Sequence, residues 1–460
     1  MNTDLKASIK TRFGPTRDVD MEIGGKQGSR LTGRMFAKMM DLLSEYLSDT
    51  ELGFSIDTDF IISVLLWVDD VISCVESEEE QEEMLMKVNE FAIKHKIKWG
   101  QSKCNVMRVG KHRKSEREWK LGDMVIQETK KYKYLGDIVT PNGKNAENLQ
   151  DRCTKLQATT INVNAIASSE ILHRIETAVI LEFYDKKCIP GLLNNAEAWN
   201  LSKKEEKDIE KMEIQAIKYL FDLPLHMPTV AIMYSFGLLY TTQRIDQMQL
   251  IYLHRLLQRG DDNWPKKTLY TLKDKGIGWF TRITNTLHRY NLPTDFQTIA
   301  SIRPNSWKNA VKLVIEQKNK ERLKDDLYKY ENGTEILKTK TKSILEKLSN
   351  PLYSRKPDEE IVYTTKYETK TILIARYGML ECGPNFEGTH NPICQTCDVL
   401  DDESHRLNYC PKWNDPDDIE TRDLIDFDAI YSSDIETIRP IIREINRLWN
   451  TKCANGSMIK

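Results

Sequence analysis

The feature that most constrains the fold is a change in hydrophobic pattern near residue 145. Before this point the apolar run Phe60–Val68 is flanked by two amphipathic helical segments, Met35–Leu47 and Glu76–His95. After it, apolar residues recur every three or four positions as far as about Leu348, which is the period of a helix. The sequence therefore predicts an α+β chain with a mixed N-terminal region and a mostly helical remainder.

The strands of the N-terminal region are predicted from apolar and β-branched runs bounded by turn residues. Phe60–Val68 has the composition of one buried strand, and Val71–Val75 follows it as the second strand of a hairpin. Tyr134–Val139 is predicted as a further strand, which ends before Pro141. We expect the hairpin to pack on the Met35–Leu47 helix.

Length and composition limit the class of protein. A chain of 460 residues and 53.5 kDa has room for several packed units. Its longest apolar run is far shorter than the roughly 20 residues of a membrane-spanning helix, and its N-terminus has no signal-peptide pattern. The nine cysteines are compatible with a reducing compartment. We therefore expect an intracellular protein, in the nucleus or cytoplasm, with no membrane partner.

Charge is distributed unevenly, although the net charge is only −2. Residues 94–133 hold thirteen Lys or Arg and four acidic residues, whereas residues 398–436 hold three basic and thirteen acidic residues. Lys and Arg neutralise phosphates, and aromatic side chains between them can stack on bases. Lys111, Arg113 and Lys114 are therefore candidate contacts for RNA or an RNA/DNA hybrid. The alternative is a solvated hairpin loop.

Two adjacent carboxylates, Asp69 and Asp70, lie at or near the turn of the predicted hairpin. Flanking strands would hold both side chains rigidly at one edge of a sheet. Two-metal phosphoryl transfer requires such rigidity, because divalent ions about 3.5–4 Å apart must bind the attacking and leaving oxygens. The alternative is an acidic turn without a metal.

A glycine-rich loop around Lys26, Gln27 and Gly28 precedes the first predicted helix. Glycines let the backbone approach a ligand closely, and the N-terminus of a helix favours an anionic phosphate. The alternative is an ordinary flexible turn before a helix.

The third pattern is Cys394-x2-Cys397-x7-His405-x4-Cys410. Three thiolates and one imidazole suit tetrahedral zinc, and a Cys-x-x-Cys turn brings two ligands close together. The sequence therefore predicts a structural zinc site with these four ligands. The acidic residues around it leave open whether this segment contacts nucleic acid or serves only as a structural clamp.

Motif order adds a resemblance to a known family. The motifs are, in order, Lys26-Gln27-Gly28 before a helix, Asp69-Asp70 in a hairpin, Trp99–Cys104, and Tyr132–Gly136. In this order they resemble the palm of non-LTR retrotransposon reverse transcriptases from its B motif onward. Three further features resemble the downstream parts of the same elements: Leu192–Trp199, Leu253–Leu256 and the Cys-Cys-His-Cys knuckle.

The resemblance implies RNA-templated DNA synthesis with magnesium. The implied roles are catalysis for Asp69, Asp70 and Lys103, nucleotide and template binding for Lys26, Gln27 and Gly28, and gripping of the primer end for Tyr134, Leu135 and Gly136.

The family's first metal-binding aspartate belongs to an A motif, an apolar strand that should precede the Lys-Gln-Gly loop. Only 25 residues precede Lys26, and Asp4, Asp18 and Asp20 have no such strand around them. We therefore expect a reverse-transcriptase fragment without fingers or A motif, which is inactive alone. The alternative is a catalytically dead remnant that binds RNA or a protein partner.

Pattern changes and the resemblance together predict five segments. They are a partial palm at 1–140, a helical thumb-like region at 141–240, a helical linker at 241–370, the zinc knuckle at 371–415, and an acidic tail at 416–460. The tail is predicted to contain a helix from Pro440 to Trp449, since proline is tolerated in the first turn of a helix.

Overall fold

The chain is a mixed α+β protein with small sheets and many helices. The computed structural model describes residues 6–20, 30–57, 60–110, 117–168, 175–331, 342, 344–350, 355–377, 393–412, 414, 424–431 and 434–454. The chain divides into two units, Met1–Lys144 and Asn145–Lys460. The segment boundaries predicted within the second unit stay predictions. Across the described residues, no helix is both long and apolar enough to span a bilayer.

The described part of the first unit contains two helices and many short strands. The helices are α1 (Arg30–Ser48) and α2 (Glu78–His95). The strands are β1 (Lys6–Ala7), β2 (Lys10–Thr11), β3 (Gly14–Pro15), β4 (Val19–Asp20), β5 (Phe54–Asp57), β6 (Phe60–Ile62), β7 (Val64–Trp67), β8 (Asp70–Ser73), β9 (Asn105–Val106), β10 (Trp119–Leu121), β11 (Met124–Glu128), β12 (Tyr132–Tyr134) and β13 (Asp137–Val139). A 3₁₀ helix, Gln101–Lys103, precedes β9.

These strands pair mainly with near neighbours in the sequence. The antiparallel pairs are β1 with β4, β2 with β3, β5 with β6, β7 with β8, and β12 with β13. A three-stranded sheet has the order β10–β11–β9, in which β9 is parallel to β11. Helices α1 and α2 pack on each other, α1 also packs on β7, and α2 on β10. Leu43, Leu47, Val64, Met84 and Trp119 are buried in the resulting core.

The hairpin predicted around the two aspartates is confirmed. Strand β7 pairs with β8, and the Trp67–Asp70 pair closes a two-residue turn formed by Val68 and Asp69. Val68 has a φ of 55°. This left-handed conformation is unusual for a β-branched residue, so the turn is strained at the position next to the carboxylates.

Two strand predictions were wrong in detail. Phe60–Val68 is not one strand, because buried Ser63 separates β6 from β7 and the two strands pair with different partners. Tyr134–Val139 is not one strand either, because Leu135 and Gly136 form the turn between β12 and β13. Their φ angles of 47° and 91° suit the tight two-residue turns of hairpins.

Both ends of helix α2 are fixed by local sequence, and the helix spans Glu78–His95 where Glu76–His95 was predicted. Ser77 accepts a hydrogen bond from the backbone N–H of Glu80 at 3.1 Å, and three glutamates occupy the first turn, where they favour the helix dipole. Lys96 ends the helix in the left-handed conformation, with a φ of 56°.

The described part of the second unit is mostly helical. Its helices are α3 (Ala146–Ala167), α4 (Thr177–Phe183), α5 (Ile189–Leu193), α6 (Lys203–Leu220), α7 (Thr229–Ser235), α8 (Thr241–Leu257), α9 (Trp264–Lys275), α10 (Gly278–Arg289), α11 (Phe296–Ser301), α12 (Pro304–Glu331), α13 (Glu359–Val362), α14 (Lys366–Arg376), α15 (Glu403–Asn408) and α16 (Ile435–Ala454). A π-helical turn, Tyr184–Cys188, joins α4 to α5, and 3₁₀ turns lie at Ala196–Ala198 and Phe427–Tyr431.

One apolar core joins distant parts of the second unit. Residues of α3 to α8 share this core with Leu323 and Leu327 of α12, Ile372 of α14 and Ile441 of α16. A second core lies among α8 to α12, around Trp307. The C-terminal helix α16 therefore packs against residues far earlier in the sequence.

The C-terminal helix differs from its prediction. It starts at Ile435 rather than at Pro440, and Pro440 lies inside it. The start is fixed by Asp434, whose carboxylate accepts a hydrogen bond from the Thr437 hydroxyl at 2.7 Å. Buried Ile438 and Ile441 on either side of the proline favour continuation of the helix.

Gly237→Ala is expected to destabilise the second unit by about 3 kcal/mol or more. A Cβ at Gly237 would lie 2.3 Å from the carbonyl carbon of Lys356 and 2.5 Å from the nitrogen of Pro357, so backbone would have to move. The φ of 59° adds a further cost of about 1–2 kcal/mol for any L-residue with a side chain. Denaturant titration would give the free energy of unfolding.

Gly276→Ala is the matched control, because Gly276 has a φ of 63° but an added Cβ there would meet no atom within 4 Å. Gly276→Ala should lower the free energy of unfolding only by the conformational cost of about 1–2 kcal/mol. Equal losses in the two variants would contradict the close approach at Gly237.

Candidate functional site

The tip of the β7–β8 hairpin presents two carboxylates to solvent. Asp69 lies in the turn and Asp70 begins β8, and both side chains are exposed. Trp67 and Val68 beside them are 62% and 50% exposed, so the tip combines acidic and apolar surface. The strands anchor this tip through Val64, which is buried in the core of the unit.

The β12–β13 hairpin lies next to these aspartates. Burial raises the pKa of the Tyr132 hydroxyl, and the negative charge of Asp70 raises it further. The same two causes raise the pKa of Tyr134, and both tyrosines line one cavity with Asp70. The Tyr132 hydroxyl also donates a hydrogen bond to the backbone oxygen of Lys103 at 3.1 Å. Segments distant in the sequence therefore meet around Asp70.

A groove of about 2900 Å³ runs along this part of the first unit. Its lining includes Asp69, Asp70, Lys103, Tyr132 and Tyr134. Pockets for small ligands usually measure about 300–1,000 Å³, so this groove has the size to accept part of a polymer.

The other predicted nucleic-acid-binding residues are placed only in part. Lys26, Gln27 and Gly28 lie outside the described residues, and so do Lys111, Arg113 and Lys114. Leu135 and Gly136 form the turn of the second hairpin, beside Tyr134.

The aromatic and basic stretch is partly structural, which corrects the sequence interpretation. Trp119 is only 3% exposed, so its ring cannot stack on a base. Arg117 bonds the carboxylate of Glu79 at 2.9 Å and lies 3.1 Å from that of Glu78. Arg108 pairs with Glu78 and, at 2.9 Å, with Glu128. The acidic start of α2 thus binds two arginines of the basic stretch.

The described residues bring no third ligand to the two aspartates. In the described part of the chain, the cysteine cluster is the one group of three or more His, Cys, Asp or Glu side chains close enough to hold a metal. Two-metal phosphoryl transfer needs a fuller set of carboxylates than Asp69 and Asp70 provide. The described side chains therefore do not fit a catalytic magnesium pair.

The cysteine cluster lies in the second unit and brings together the four predicted ligands. Cys394, Cys397, His405 and Cys410 place their ligand atoms within 4.8 Å of one another. The Sγ atom of Cys410 lies 3.7 Å from that of Cys394 and 3.9 Å from that of Cys397. Three sulfurs bound tetrahedrally at about 2.3 Å from zinc would lie roughly 3.8 Å apart. The predicted convergence is confirmed, and the group is compatible with zinc.

Local backbone structure explains how these ligands are held. The N–H of Cys394 donates to the oxygen of Val399, and the N–H of Asp398 donates to the oxygen of Cys394, both at 2.8 Å. These bonds close a tight turn around the first two cysteines. His405 lies in the first turn of α15, where the Asp402 carboxylate accepts its backbone N–H at 2.7 Å.

The chemistry of the cluster also suits a cation. Burial opposes ionisation of Cys394, but the His405 imidazole and the backbone N–H groups of Thr396 and Cys397 outweigh it and lower the pKa of this thiol to about 6. Burial and the nearby Cys394 thiolate raise the pKa of Cys397 and Cys410, and the positive charge of a bound metal would offset both effects. A thiolate is the form that binds zinc. The Nε2 atom of His405 is buried and has no hydrogen-bond partner among the described residues. A metal ion would provide that partner.

Three acidic residues near the cluster contribute to its local structure. Asp401 binds Arg406 through two hydrogen bonds of 2.8 and 2.5 Å, and Asp402 caps α15. Glu403 is only 8% exposed. These acids support the fold of the segment.

Comparison with known proteins adds no assignment. A search against protein-family models finds no match, and a search of curated proteins finds none either. What the chain does must therefore be inferred from the groove and the metal centre themselves.

Proposed function

We propose that the first unit is the later part of a reverse-transcriptase palm of the non-LTR retrotransposon type, and that its groove binds RNA or an RNA/DNA hybrid. In this proposal the primer end lies near Asp69 and Asp70, and the hairpin of Tyr134, Leu135 and Gly136 supports it. The second unit is the thumb and linker, and the cysteine cluster is a zinc knuckle.

One observation carries the proposal. The Asp69-Asp70 hairpin, Lys103 and the Tyr132–Tyr134 strand are separated by about thirty residues each in the sequence, yet all of them line one groove. The order of these motifs in the sequence is the basis of the family resemblance. A shared nucleic-acid site also requires that they lie close together in the fold. The large groove volume supports a polymeric ligand rather than a small one.

The zinc knuckle has a structural role in this proposal. Zinc would be held by Cys394, Cys397, His405 and Cys410 and would stabilise a segment with few apolar residues of its own. Its neighbours Asp401 and Asp402 bind Arg406 and the start of α15, so they stabilise the segment, and their negative charge repels phosphates.

The rival function is RNA binding without polymerisation. The observation that favours it is the lack of a third carboxylate beside Asp69 and Asp70 among the described residues. Both functions need the groove to bind RNA, and they differ only in whether chemistry follows. We therefore expect the isolated chain to bind nucleic acid and to lack polymerase activity.

The test is to measure binding and extension of a DNA primer annealed to an RNA template. We expect binding that weakens steeply with salt, because phosphate contacts release counterions, and no extension with Mg²⁺ or Mn²⁺. Asp69→Asn should leave the affinity unchanged or raise it slightly, since it removes a negative charge from the groove. Neutralising Lys111, Arg113 and Lys114 together should lower the affinity.

Two outcomes would overturn parts of this proposal. Extension that Asp69→Asn abolishes would show that the isolated chain is an active polymerase. Absence of any RNA or hybrid binding would refute both the palm proposal and its rival.

A further inference from the structure

We infer that Lys96 and Lys98, together with Lys103, form the contact surface for the phosphates of a bound RNA strand. This inference rests on the proposed function of the groove and names the residues that supply its affinity. These lysines belong to the groove lining and are exposed.

These lysines combine a place in the groove lining with the lack of an acidic residue nearby in the sequence. No acidic residue occurs between Glu90 and Glu116 in the sequence. Elsewhere in the basic stretch, Arg108 and Arg117 are neutralised by glutamates, and Lys120 lies 3.5 Å from a carboxylate oxygen of Glu118.

Lys96, Lys98 and Lys103, by contrast, form no ion pair with the described residues. A positive charge left without a carboxylate in a groove attracts an anion, and a phosphate backbone supplies one at each nucleotide.

The dipole of α2 does not explain all of these lysines. Cations in the last turn of a helix are stabilised by its dipole, which accounts for Lys94. Lys98 and Lys103 lie beyond the helix, where the dipole has faded. A role in helix stability therefore leaves these two charges unexplained.

The segment that carries the lysines is held firmly, which favours binding. The backbone oxygen of Lys103 accepts the Tyr132 hydroxyl at 3.1 Å, and the Gln101 amide donates to the oxygen of Val125 at 3.1 Å. The N–H of Ile97 donates to the oxygen of Ala92 at 2.8 Å. Because the backbone is already ordered, binding would cost little conformational entropy there.

The groove lining carries charges of both signs. Asp69, Asp70 and Glu76 line it together with Lys96 and Lys98. A bound strand would place its phosphates at the lysines, and the carboxylates would face a cation or uncharged groups of the strand. The lysine segment is therefore the anion-binding part of the groove.

The experiment measures the affinity of the full chain for a single-stranded RNA oligonucleotide over a range of salt concentrations. The Lys96→Gln/Lys98→Gln variant is expected to lower the slope of log K against log salt by about 1.4, since each phosphate contact on a single strand contributes about 0.7. At about 0.1 M salt this corresponds to a loss of roughly 25-fold in affinity.

Lys94→Gln is the matched control. Lys94 is exposed and lies at the same helix end, but it is not part of the groove lining, so its loss should change the affinity less than about twofold. Helical content by circular dichroism should be unchanged in both variants.

The outcomes separate this inference from the proposed function. RNA binding by the unchanged chain that the double variant retains in full would refute the lysine surface and leave the groove proposal standing. An equal loss in Lys94→Gln would also refute it, because it would show a diffuse charge effect. No RNA binding by the unchanged chain would refute both proposals.

Discussion

Cys397→Ala is expected to remove zinc from the chain and to loosen its C-terminal segment. The unchanged protein should contain one zinc ion per chain, and the variant should contain close to none, because three remaining ligands hold the ion far more weakly. A structural zinc site can contribute on the order of 10 kcal/mol to the segment that it organises. Elemental analysis of the purified protein gives the zinc content directly.

The loss should spread beyond the four ligands. Helix α15 follows the first two cysteines and inserts Leu407, only 1% exposed, into the large core of the second unit. Asn408 exchanges two hydrogen bonds of 2.8 Å with the backbone of Ile425. Asn414 accepts a hydrogen bond from Arg447 of α16 at 3.2 Å. Removing the metal should therefore speed amide hydrogen exchange in residues 424–454.

Cys153→Ala is the control for this experiment. Cys153 is a buried cysteine of α3 outside the cluster, so Cys153→Ala makes the same chemical change without altering any of the four ligands. Its zinc content should equal that of the unchanged chain. Equal zinc in the Cys397→Ala variant would refute the site, and unchanged exchange in α16 after zinc loss would limit the effect of the metal to its own loop.

Features that depend on local sequence could be predicted. The apolar residues on both sides of Asp69-Asp70 predict a hairpin, because strands that flank a short turn pair with each other. The spacing of Cys394, Cys397, His405 and Cys410 predicts a common site, because a Cys-x-x-Cys turn brings two ligands together and the other two follow within thirteen residues. In both cases the partners are close in the sequence.

Features that depend on partners far away in the sequence could not be predicted. The basic stretch from residue 94 is uniform in the sequence, but Arg108 pairs with Glu78 thirty residues away while Lys98 has no such partner among the described residues. Periodicity shows which face of a helix is apolar, but not which charged side chains of distant elements form ion pairs. Trp119 is buried and the last helix continues through Pro440. Each depends on packing against residues distant in the sequence.

Asp246→Ala is expected to destabilise the second unit by about 3–5 kcal/mol, the usual cost of removing one partner from a buried ion pair. Asp246 in α8 is fully buried, with Arg289 at 2.6 Å and Arg282 at 3.5 Å from its carboxylate oxygens, and it accepts the Tyr290 hydroxyl at 3.0 Å. Burial raises the pKa of Asp246, and the two guanidinium groups oppose this effect. Without the carboxylate, buried Arg282 would keep only Glu206 at 2.8 Å, and the buried Tyr290 hydroxyl would lose its acceptor. Arg289 is 36% exposed, so water can replace its partner.

Glu182→Ala provides the comparison, because Glu182 of α4 pairs with Lys186 and both side chains are exposed, by 60% and 68%. An exposed ion pair contributes about 0–1 kcal/mol, so this variant should unfold at nearly the same denaturant concentration as the unchanged chain. A double-mutant cycle of Asp246→Ala with Arg289→Ala isolates the pair, and its two changes should be strongly non-additive because the arginine no longer needs a partner once it is removed. Additive losses would show that the network contributes through packing alone, and α6, α8 and α10 would then be held together by their apolar contacts rather than by the buried charges.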